Sequence, residues 1–512
     1  MLENKLNRNF LKESEIFHPL AFIEGIHNDL LDIRIERKEQ THSIKREDIY
    51  LTAGSTHFKV LLPLKCGDNS FILHCGKHEI PFNLKYTASV NKKFVRLVYI
   101  KCKDDDGQFQ APSEENNSVS SACSRISLGA QLLQTFTAEK MKEQGFPAKT
   151  FHLEEDENNK PICYVFTSSL TVLEAQQLKG EALWSHFAKE LMNSSLRNDN
   201  CKFLAFLSFT RYQNSNGIIP SNHSEVLDLV KGHVALGASG LALLGTGCLH
   251  TWAQNLEELK WRFNDNRKIN KKELMDDSGL RGTHWACYST GLGATLHELG
   301  HTFDLGHSTY GIMGRGFDDI YKFFTVQDKC CQPNVQDDMK VISKTSCTEV
   351  HNQVPLIKNL CWETVTPPDS NTVAGFHGVS KSDYRDLVSL STSSAICQWS
   401  QEIFWSRSCA VLLNFHKWFN LFNPKDPTLL PNISSNKATS AHGIRLVEFR
   451  DKDSNYLHHW EFLRGDGLRE LPLHLSDMSS WLPENTSMLK IIIADSYGNI
   501  LKRDVSLKNL DV

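Results

Sequence analysis

Three histidines and one glutamate lie close together in a short stretch of the chain. The stretch contains His297, Glu298 and His301, and His307 follows six residues after the last of them. Histidines four residues apart lie on one face of a helix, so both imidazoles can point at a single ion. Glu298 lies on an adjoining face, where it can handle a water on that ion without being a ligand itself. The pattern is typical of a metal-dependent hydrolase, and the alternative is an amphipathic helix with surface histidines.

His307 is the expected third ligand. Three protein ligands leave the fourth tetrahedral position of zinc open, which catalysis requires. We therefore expect one Zn²⁺ per chain, held by His297, His301 and His307. If His307 were only a loop residue near the site, Asp318 or Asp319 would have to complete the ligand set. Otherwise these two carboxylates could hold a ligand histidine or the nearby arginine in place.

The expected chemistry is hydrolysis by a metal-bound water. Zinc lowers the pKa of its water and polarises the carbonyl group of the substrate. Glu298 would take the proton of that water and pass it to the leaving amine. Another donor should stabilise the oxyanion beside the metal. By position the candidates are Tyr310, Arg315 and Tyr288, each with a purely structural role as the alternative.

The motif also carries a family resemblance. His-Glu-x-x-His-x-x-Gly-x-x-His followed by a methionine turn marks the metzincins, and this chain resembles that pattern. Over residues 290–320 it is similar to a little-characterised family of zinc metallopeptidases found in fungi and animals, with G-x-x-x-H-E-L-G-H-x-x-x-L-x-H and then G-I-M-x-R-G-F-D-D. The resemblance extends over most of the chain, but only this segment is highly diagnostic. It implies that His297, His301 and His307 bind zinc, that Glu298 is the general base, and that Met313 forms the floor beneath the metal.

One residue departs from the metzincin pattern. Asp304 stands where the pattern has a glycine, which lets the chain leave the helix sharply with a positive φ. Aspartate visits the left-handed region more readily than most residues, although less readily than glycine. Gly306, two residues later, could take over part of the bend. The departure concerns the detail of the turn and leaves the expectation of a metal unchanged.

Residues 295–305 are predicted to form the active-site helix. Its apolar side chains would anchor it to a core while the histidines face a cleft. They are Leu296, Leu299, Phe303 and Leu305. In zincin folds an edge strand binds an extended substrate through backbone hydrogen bonds. Residues 240–244 are the favoured candidate for that edge, and residues 284–288 could line the cleft; a buried core strand is the alternative for each.

The chain organisation indicates several domains. With 512 residues the chain is too long for one ordinary domain, and two or three are expected. Period-two patterns indicate β-rich regions at both ends, and strands alternate with helices between them. We predict an α+β multidomain protein in which a zincin-like or metzincin-like catalytic domain, with a twisted mixed sheet and an active-site helix, is flanked by β-sandwich-like domains. The ranges are residues 1–90 for the N-terminal β-rich domain, 91–425 for the catalytic domain and 436–512 for the C-terminal β-rich domain.

Within the catalytic region, composition and periodicity predict further elements. Residues 104–124 have the polar composition of an exposed loop. Helical spacing follows from Leu128 to Phe146, with Gly145 as the C-terminal cap. The remaining predicted elements are a helix over residues 173–191, buried strands at 203–209 and 234–245, an aromatic helical stretch at 393–420 and a linker at 423–436.

Composition disfavours several classes of function. The chain has 56 basic and 60 acidic residues, so its net charge of −4 gives no reason to expect nucleic acid or membrane as a partner. The longest apolar run, residues 234–249, is broken by glycines and falls short of the about 18–20 residues of a membrane span. No signal peptide is recognisable. The expected location is the cytoplasm, with the nucleus as an alternative, and the 14 cysteines are expected to be reduced thiols.

Other motifs do not support a rival function. Cysteines at 330, 331, 347 and 361 could suggest a second, structural zinc, but they lack the paired spacing of such sites. Phosphate-loop, nucleophile-elbow and dinucleotide motifs do not occur in the sequence.

Three interpretations follow. The leading one is a zinc metallopeptidase that acts on a peptide or protein. The second is a zinc-binding scaffold with little turnover, which would use the flanking β-rich regions to bind protein partners. A scaffold has no need of Glu298, so the complete motif favours the enzyme. Hydrolysis of a non-peptide amide is a third interpretation, because zinc and glutamate suit any acyl transfer.

Overall fold

The structure is a computed structural model that describes most of the chain. The described residues are 14–26, 33–38, 50–53, 57–75, 78–88, 91–326, 403–420, 429–434, 436–484 and 486–507. The four cysteines from 330 to 361, the first part of the aromatic stretch at 393–420 and most of the linker at 423–436 lie outside these residues.

The described residues of the N-terminal region form seven strands in two sheets. The strands are β1 (Ser14–Ile16), β2 (Leu20–Ile26), β3 (Ile33–Arg37), β4 (Tyr50–Ala53), β5 (His57–Pro63), β6 (Gly67–Cys75) and β7 (His78–Tyr86). One sheet has the order β1-β7-β6-β3 and the other β2-β5-β4. Alternate side chains of both sheets meet in one core, to which Val60 and Leu62 contribute from one sheet and Phe71 and Leu73 from the other.

The middle of the chain is built on a mixed five-stranded sheet. Its elements are β8 (Phe94–Lys101), α1 (Val119–Glu143), β9 (Cys163–Thr167), α2 (Val172–Gln177), α3 (Gly180–Met192), β10 (Cys201–Leu207), β11 (Arg211–Tyr212), α4 (His223–Asp228), β12 (Val230–Lys231), β13 (Ala235–Ala238) and β14 (Leu241–Gly245). The strand order is β13-β14-β10-β8-β9; β13 runs antiparallel to β14, and the other neighbours are parallel. β11 and β12 form a separate antiparallel pair.

Both faces of this sheet are covered, which explains why its inner strands β8, β10 and β14 are mostly buried and rich in apolar residues. Leu97 of β8 packs in the core that contains α1, whereas Val98 packs in the core that contains α3. After the sheet come a 3₁₀ turn (Leu249–Thr251), α5 (Leu256–Arg262), α6 (His284–Thr302), a second 3₁₀ turn (Arg315–Asp319), α7 (Tyr321–Phe324) and α8 (Arg407–Phe415). Helix α6 crosses the first face and contacts β13 and β14.

The predicted exposed loop at residues 104–124 is wrong in two respects. Helix α1 begins inside it at Val119, with Ser118 as the N-cap that accepts from the backbone N–H of Ser121. Glu115 is buried and pairs with two guanidinium groups, of Arg125 at 3.1 Å and of Arg262 at 2.7 Å. A buried ion pair of this kind has the same polar composition as an exposed loop, so composition could not distinguish the two.

The described part of the C-terminal region forms an antiparallel sheet of six strands. The strands are β15 (Asn432–Ser434), β16 (Lys437–Arg450), β17 (Tyr456–Glu461), β18 (Leu468–Pro472), β19 (Met488–Asp495) and β20 (Ile500–Ser506), with a 3₁₀ turn at Leu475–Asp477. The fourteen-residue β16 pairs with β15 and β18 along its first half and with β17 and β19 along its second. One long strand thus belongs to both halves of the sheet, and the sandwich-like domain stays a prediction.

The C-terminal sheet packs directly on the middle region. Leu446, Ile492 and Ala494 belong to the same hydrophobic core as the apolar side of α6. Helix α8 lies between them, and its Arg407 pairs with Glu461 at 2.8 Å. None of the helices in the described ranges has an apolar stretch of the length needed to cross a bilayer.

Candidate active site

Helix α6 carries His297, Glu298 and His301 near its C-terminal end. All four predicted anchor residues, Leu296, Leu299, Phe303 and Leu305, are at most 3% exposed, which confirms the predicted core-facing side. The first residues of the helix do not line a cleft as residues 284–288 were expected to do. They form its opening turns, and Tyr288 is fully buried, stacked on Phe263 with ring centroids 4.6 Å apart.

Asp304, two residues after the last residue of α6, has the left-handed conformation. Its φ is +68°, and it lies in a Schellman motif. In this motif the N–H of Asp304 donates to the backbone carbonyl of His301, and the N–H of Leu305 donates to the backbone carbonyl of Gly300. The motif turns the chain back towards the site, so that His307 follows three residues later. Gly306 does not share the bend, because its φ is not positive. It instead lies against Arg450, whose Nε would be 2.6 Å from an added Cβ.

The three histidine rings converge on one point. Their ligating nitrogens all lie within 4.8 Å of one another. The ring centroids of His301 are 4.7 Å from those of His297 and His307. The Nε2 atoms of His297 and His301 are 3.1 Å apart. Two nitrogens bound to one tetrahedral zinc at 2.0–2.1 Å would be separated by about 3.3 Å, so the observed spacing fits a shared ion.

Backbone carbonyls determine which nitrogen faces the site. His297 Nδ1 lies 2.8 Å from the carbonyl of Ile312, and His301 Nδ1 lies 3.0 Å from that of Leu305. A carbonyl only accepts, so both Nδ1 atoms carry the hydrogen. Burial lowers the pKa of both imidazoles, which keeps them neutral and leaves each Nε2 with a bare lone pair. Two lone pairs that face each other at 3.1 Å repel unless a cation lies between them; the residues present therefore fit zinc.

Glu298 is held by the edge strand of the central sheet. Its Oε2 accepts a 2.6 Å hydrogen bond from the backbone N–H of Gly237 in β13. Strand and helix are so close here that a Cβ on Gly237 would overlap the backbone carbonyl of Glu298. Only glycine fits at this contact.

The predicted edge at residues 240–244 is wrong by one strand. Residues 241–244 belong to β14, which lies between β13 and β10, and Gly240 lies in the turn before it. The apolar run at 234–245 folds as a hairpin whose turn contains Ser239 with a φ of +50°. The outer arm, β13, is the edge. The order of two adjacent strands in a sheet depends on distant contacts, and the apolar pattern is the same for both arms.

The segment after His307 returns beneath α6. Met313 is 1% exposed, and its Sδ lies against Gly300, in the helical turn between the two histidines of α6. Met313 also accepts from the backbone N–H of Ser308, and the preceding Ile312 provides the carbonyl for His297. This turn thus orients His297 through a hydrogen bond and packs against α6 through the Met313 side chain.

The remaining predicted residues lie outside the histidine cluster. Tyr310 is 60% exposed and Arg315 is also exposed, whereas Tyr288 lies in the core and is excluded as an oxyanion donor. Asp318 accepts from Thr290 at 2.8 Å, two turns before the motif, and Asp319 pairs with Lys322 at 2.7 Å. Among the described residues the only cluster of suitable metal ligands is the three histidines, so neither aspartate completes it.

Comparison with known proteins identifies the family of the chain. Residues 6–386 match the model of a family described as "Putative peptidase family" (Metallopep). The chain belongs to this family. The match confirms the resemblance to zinc metallopeptidases that the motif carries.

Two yeast relatives have related sequences. A protein of Schizosaccharomyces pombe named as a putative zinc metalloproteinase is 27% identical over 317 residues, which cover 58% of this chain and 49% of the relative. A Saccharomyces cerevisiae protein with the same description is 26% identical over 275 residues, covering 48% of this chain and 38% of the relative. The chain thus spans less than half the length of these relatives.

Among solved structures, OgpA from Akkermansia muciniphila aligns over 82% of this chain and 95% of its own, with a TM-score of 0.40 and 12% identity. A catalytically inactive OgpA in complex with an O-glycopeptide substrate aligns with a TM-score of 0.41 and 11% identity, over 81% of this chain and 93% of its own.

Proposed function

We propose that this chain is a zinc-dependent metallopeptidase of the metzincin type that hydrolyses peptide bonds with Glu298 as the general base. The observation that carries the proposal is the convergence of three imidazoles, two of them neutral and oriented by backbone carbonyls so that their bare Nε2 atoms face each other at 3.1 Å. Membership of a peptidase family supports the same reaction class.

His297, His301 and His307 would hold one zinc ion. When bound, the ion would lower the pKa of a water in its open position and polarise the carbonyl oxygen of the substrate. The protein contributes the orientation of the ligands, because the carbonyls of Ile312 and Leu305 fix two of the rings. Met313 would form the floor beneath the site, which its burial against Gly300 supports.

Glu298 would move the proton. Its carboxylate would accept the proton of the attacking water and deliver it to the leaving amine nitrogen. The hydrogen bond from Gly237 holds the carboxylate beside the edge strand, so that the base is oriented before the substrate arrives. The donor that the oxyanion needs besides the metal would come from Tyr310 or Arg315, both of which are exposed on the segment that follows His307.

The substrate would be an extended peptide that pairs with β13. Gly245 N–H donates to the carbonyl of Val234, so Val234, Leu236 and Ala238 direct their backbone groups to β14. The backbone groups of Ala235 and Gly237 consequently point away from β14, on the side of Glu298, which accepts from the Gly237 N–H. Backbone pairing at this edge would place a peptide bond beside the histidines.

The test combines metal content with cleavage of a peptide library. The wild-type protein is expected to contain zinc and to cleave peptides in a chelator-sensitive manner. Glu298→Gln should keep the zinc and lose cleavage by about 10²–10⁴-fold. Glu257→Gln, on the exposed side of α5, is the control and should be fully active. Full activity of Glu298→Gln would exclude the general-base role, and zinc without cleavage in the wild type would favour a scaffold.

A further inference from the structure

We infer that Arg450 of the C-terminal sheet is a positioning residue for His307, and that this sheet is therefore part of the metal centre. The inference rests on the proposed zinc site and adds a residue that the motif does not contain. Arg450 is the last residue of β16, far from His307 in sequence, and its side chain is 4% exposed.

The backbone of His307 is paired with the loop between β16 and β17. His307 forms an isolated parallel bridge with Asn455. Its N–H donates to the carbonyl of Ser454 at 3.2 Å, and its own carbonyl accepts from the N–H of Tyr456 at 2.8 Å. Both backbone groups of the third ligand are therefore satisfied by the C-terminal sheet. The direction of the His307 side chain depends on where this loop lies.

Arg450 connects that loop to the end of the active-site helix. Its Nε bonds to the buried carboxylate of Glu448, and its Nη2 donates to the carbonyl of Asp304 at 2.8 Å. Asp304 is the left-handed residue that turns the chain from α6 towards His307. A planar guanidinium can bond to both groups at once, whereas an ammonium cannot match this fork. Gly306 packs against the same guanidinium, so both ends of the turn lie against one side chain.

The side chain of Asp304 is held by the same sheet and by the end of α8. Its carboxylate pairs with Lys502 of β20 and lies 3.2 Å from Nε2 of His416, the residue after α8. These two partners keep the pKa of Asp304 well below its usual range, although partial burial of the carboxylate opposes this. The turn that delivers His307 is thus attached through its carbonyl, its carboxylate and the backbone beyond it. Contacts of this kind orient ligands, and their loss typically lowers metal affinity about 10–100-fold.

If Arg450 had a purely structural role, its substitution should affect zinc binding no more than substitution of another arginine of the same strand. Arg445 is the matched comparison, since it also lies on β16 and its guanidinium donates to Ser496, to the carbonyl of Phe462 and to that of Gly465. All these partners belong to the C-terminal region. The hydrogen bonds of Arg445 thus stay within the C-terminal region, whereas Arg450 connects the C-terminal sheet to the turn between α6 and His307.

The experiment compares Arg450→Lys with Arg445→Lys in the full-length protein. Zinc affinity is measured by competition with a chelator of known affinity, and folding by the melting temperature of the zinc-free protein. Lysine keeps a positive charge beside Glu448, so the fold should persist. We expect zinc affinity to fall about tenfold in Arg450→Lys and to stay within twofold of the wild type in Arg445→Lys. Wild-type zinc affinity in a folded Arg450→Lys would overturn the inference but not the proposed function.

A second pair of variants covers failure of Arg450→Lys to fold. Lys502→Met removes one of the two partners of Asp304. Lys437→Met removes a lysine of the same sheet that pairs with Glu470 and whose side chain is equally exposed, 47%. Only Lys502→Met should weaken zinc binding, about two- to fivefold for a half-exposed pair, and Lys502→Arg should restore it. Equal zinc affinity in the two methionine variants would overturn the inference. A wild-type protein that binds no zinc would instead overturn the proposed function.

Discussion

The carboxylate of Glu298 accepts a 2.6 Å hydrogen bond from the backbone N–H of Gly237, on the outermost strand of the central sheet. The residue proposed as the base and the strand proposed to bind the substrate are therefore in direct contact. The same contact requires a glycine, because any side chain at this position would overlap the backbone of α6.

Gly237→Ala should separate the edge strand from the helix. The added Cβ must displace β13, so Glu298 loses its hydrogen bond and its orientation. We expect the zinc to remain and peptide cleavage to fall at least about a hundredfold, with a loss of about 1–3 kcal/mol in the free energy of unfolding. The control is Gly240→Ala at the turn of the same hairpin, where an added Cβ meets nothing within 4 Å. Equal activity of the two variants would refute the positioning role of Gly237.

Met313 should be needed for its volume beneath α6. Met313→Ala leaves a cavity against Gly300, so we expect a loss of about 2–5 kcal/mol in the free energy of unfolding and weaker zinc binding. Met313→Leu nearly conserves the volume and should lose less than about 1.5 kcal/mol. Chemical denaturation checks both, with Met192→Ala, at a site 48% exposed, as the control. A Met313→Ala protein with wild-type stability and zinc content would contradict the role as a floor.

Lys202 should give the protein a stability that rises with pH. Its Nζ donates to the carbonyl of Ser239 at the turn of the edge hairpin, and burial lowers its pKa to about 8. The unfolded chain, with a lysine pKa near 10.4, binds the proton more tightly. Stability should therefore increase between about pH 8 and pH 10, by at most about 3 kcal/mol.

The measurement for Lys202 is the slope of unfolding free energy against pH. Tyrosines and cysteines also titrate in this range, so the wild type is compared with Lys202→Met and with the exposed-site variant Lys260→Met. Lys202→Met should have a shallower rise than the other two proteins. If the unfolding free energy rose equally with pH in all three proteins, burial of the Lys202 ammonium would not contribute to the pH dependence.

The parts of the site that depend on local geometry could be predicted from the sequence. A spacing of four residues places His297 and His301 on one helical face whatever surrounds the helix. The positive φ of Asp304 agrees with the metzincin pattern that the chain resembles, in which glycine occupies that position. The apolar side of α6 was also predictable, since its period is local.

The parts that depend on distant contacts could not be predicted. The hydrogen-bonded residues Gly237 and Glu298 are 61 residues apart in the sequence, and Arg450 and Asp304 are 146 residues apart. No pattern in the sequence relates the members of either pair. The predicted helix at 173–191 divides into α2 and α3, with Gly180 at a φ of +50° at the start of the second. A glycine in a polar, helix-compatible run gave too weak a signal for this break.

The central claim is that three imidazoles hold one zinc ion. The most direct test is the metal content of the purified, dialysed protein, measured by elemental mass spectrometry beside His301→Ala and Glu298→Gln. We expect about one zinc ion per chain in the wild type and in Glu298→Gln, and almost none in His301→Ala. A folded wild-type protein without zinc, or one whose zinc persists in His301→Ala, would contradict it.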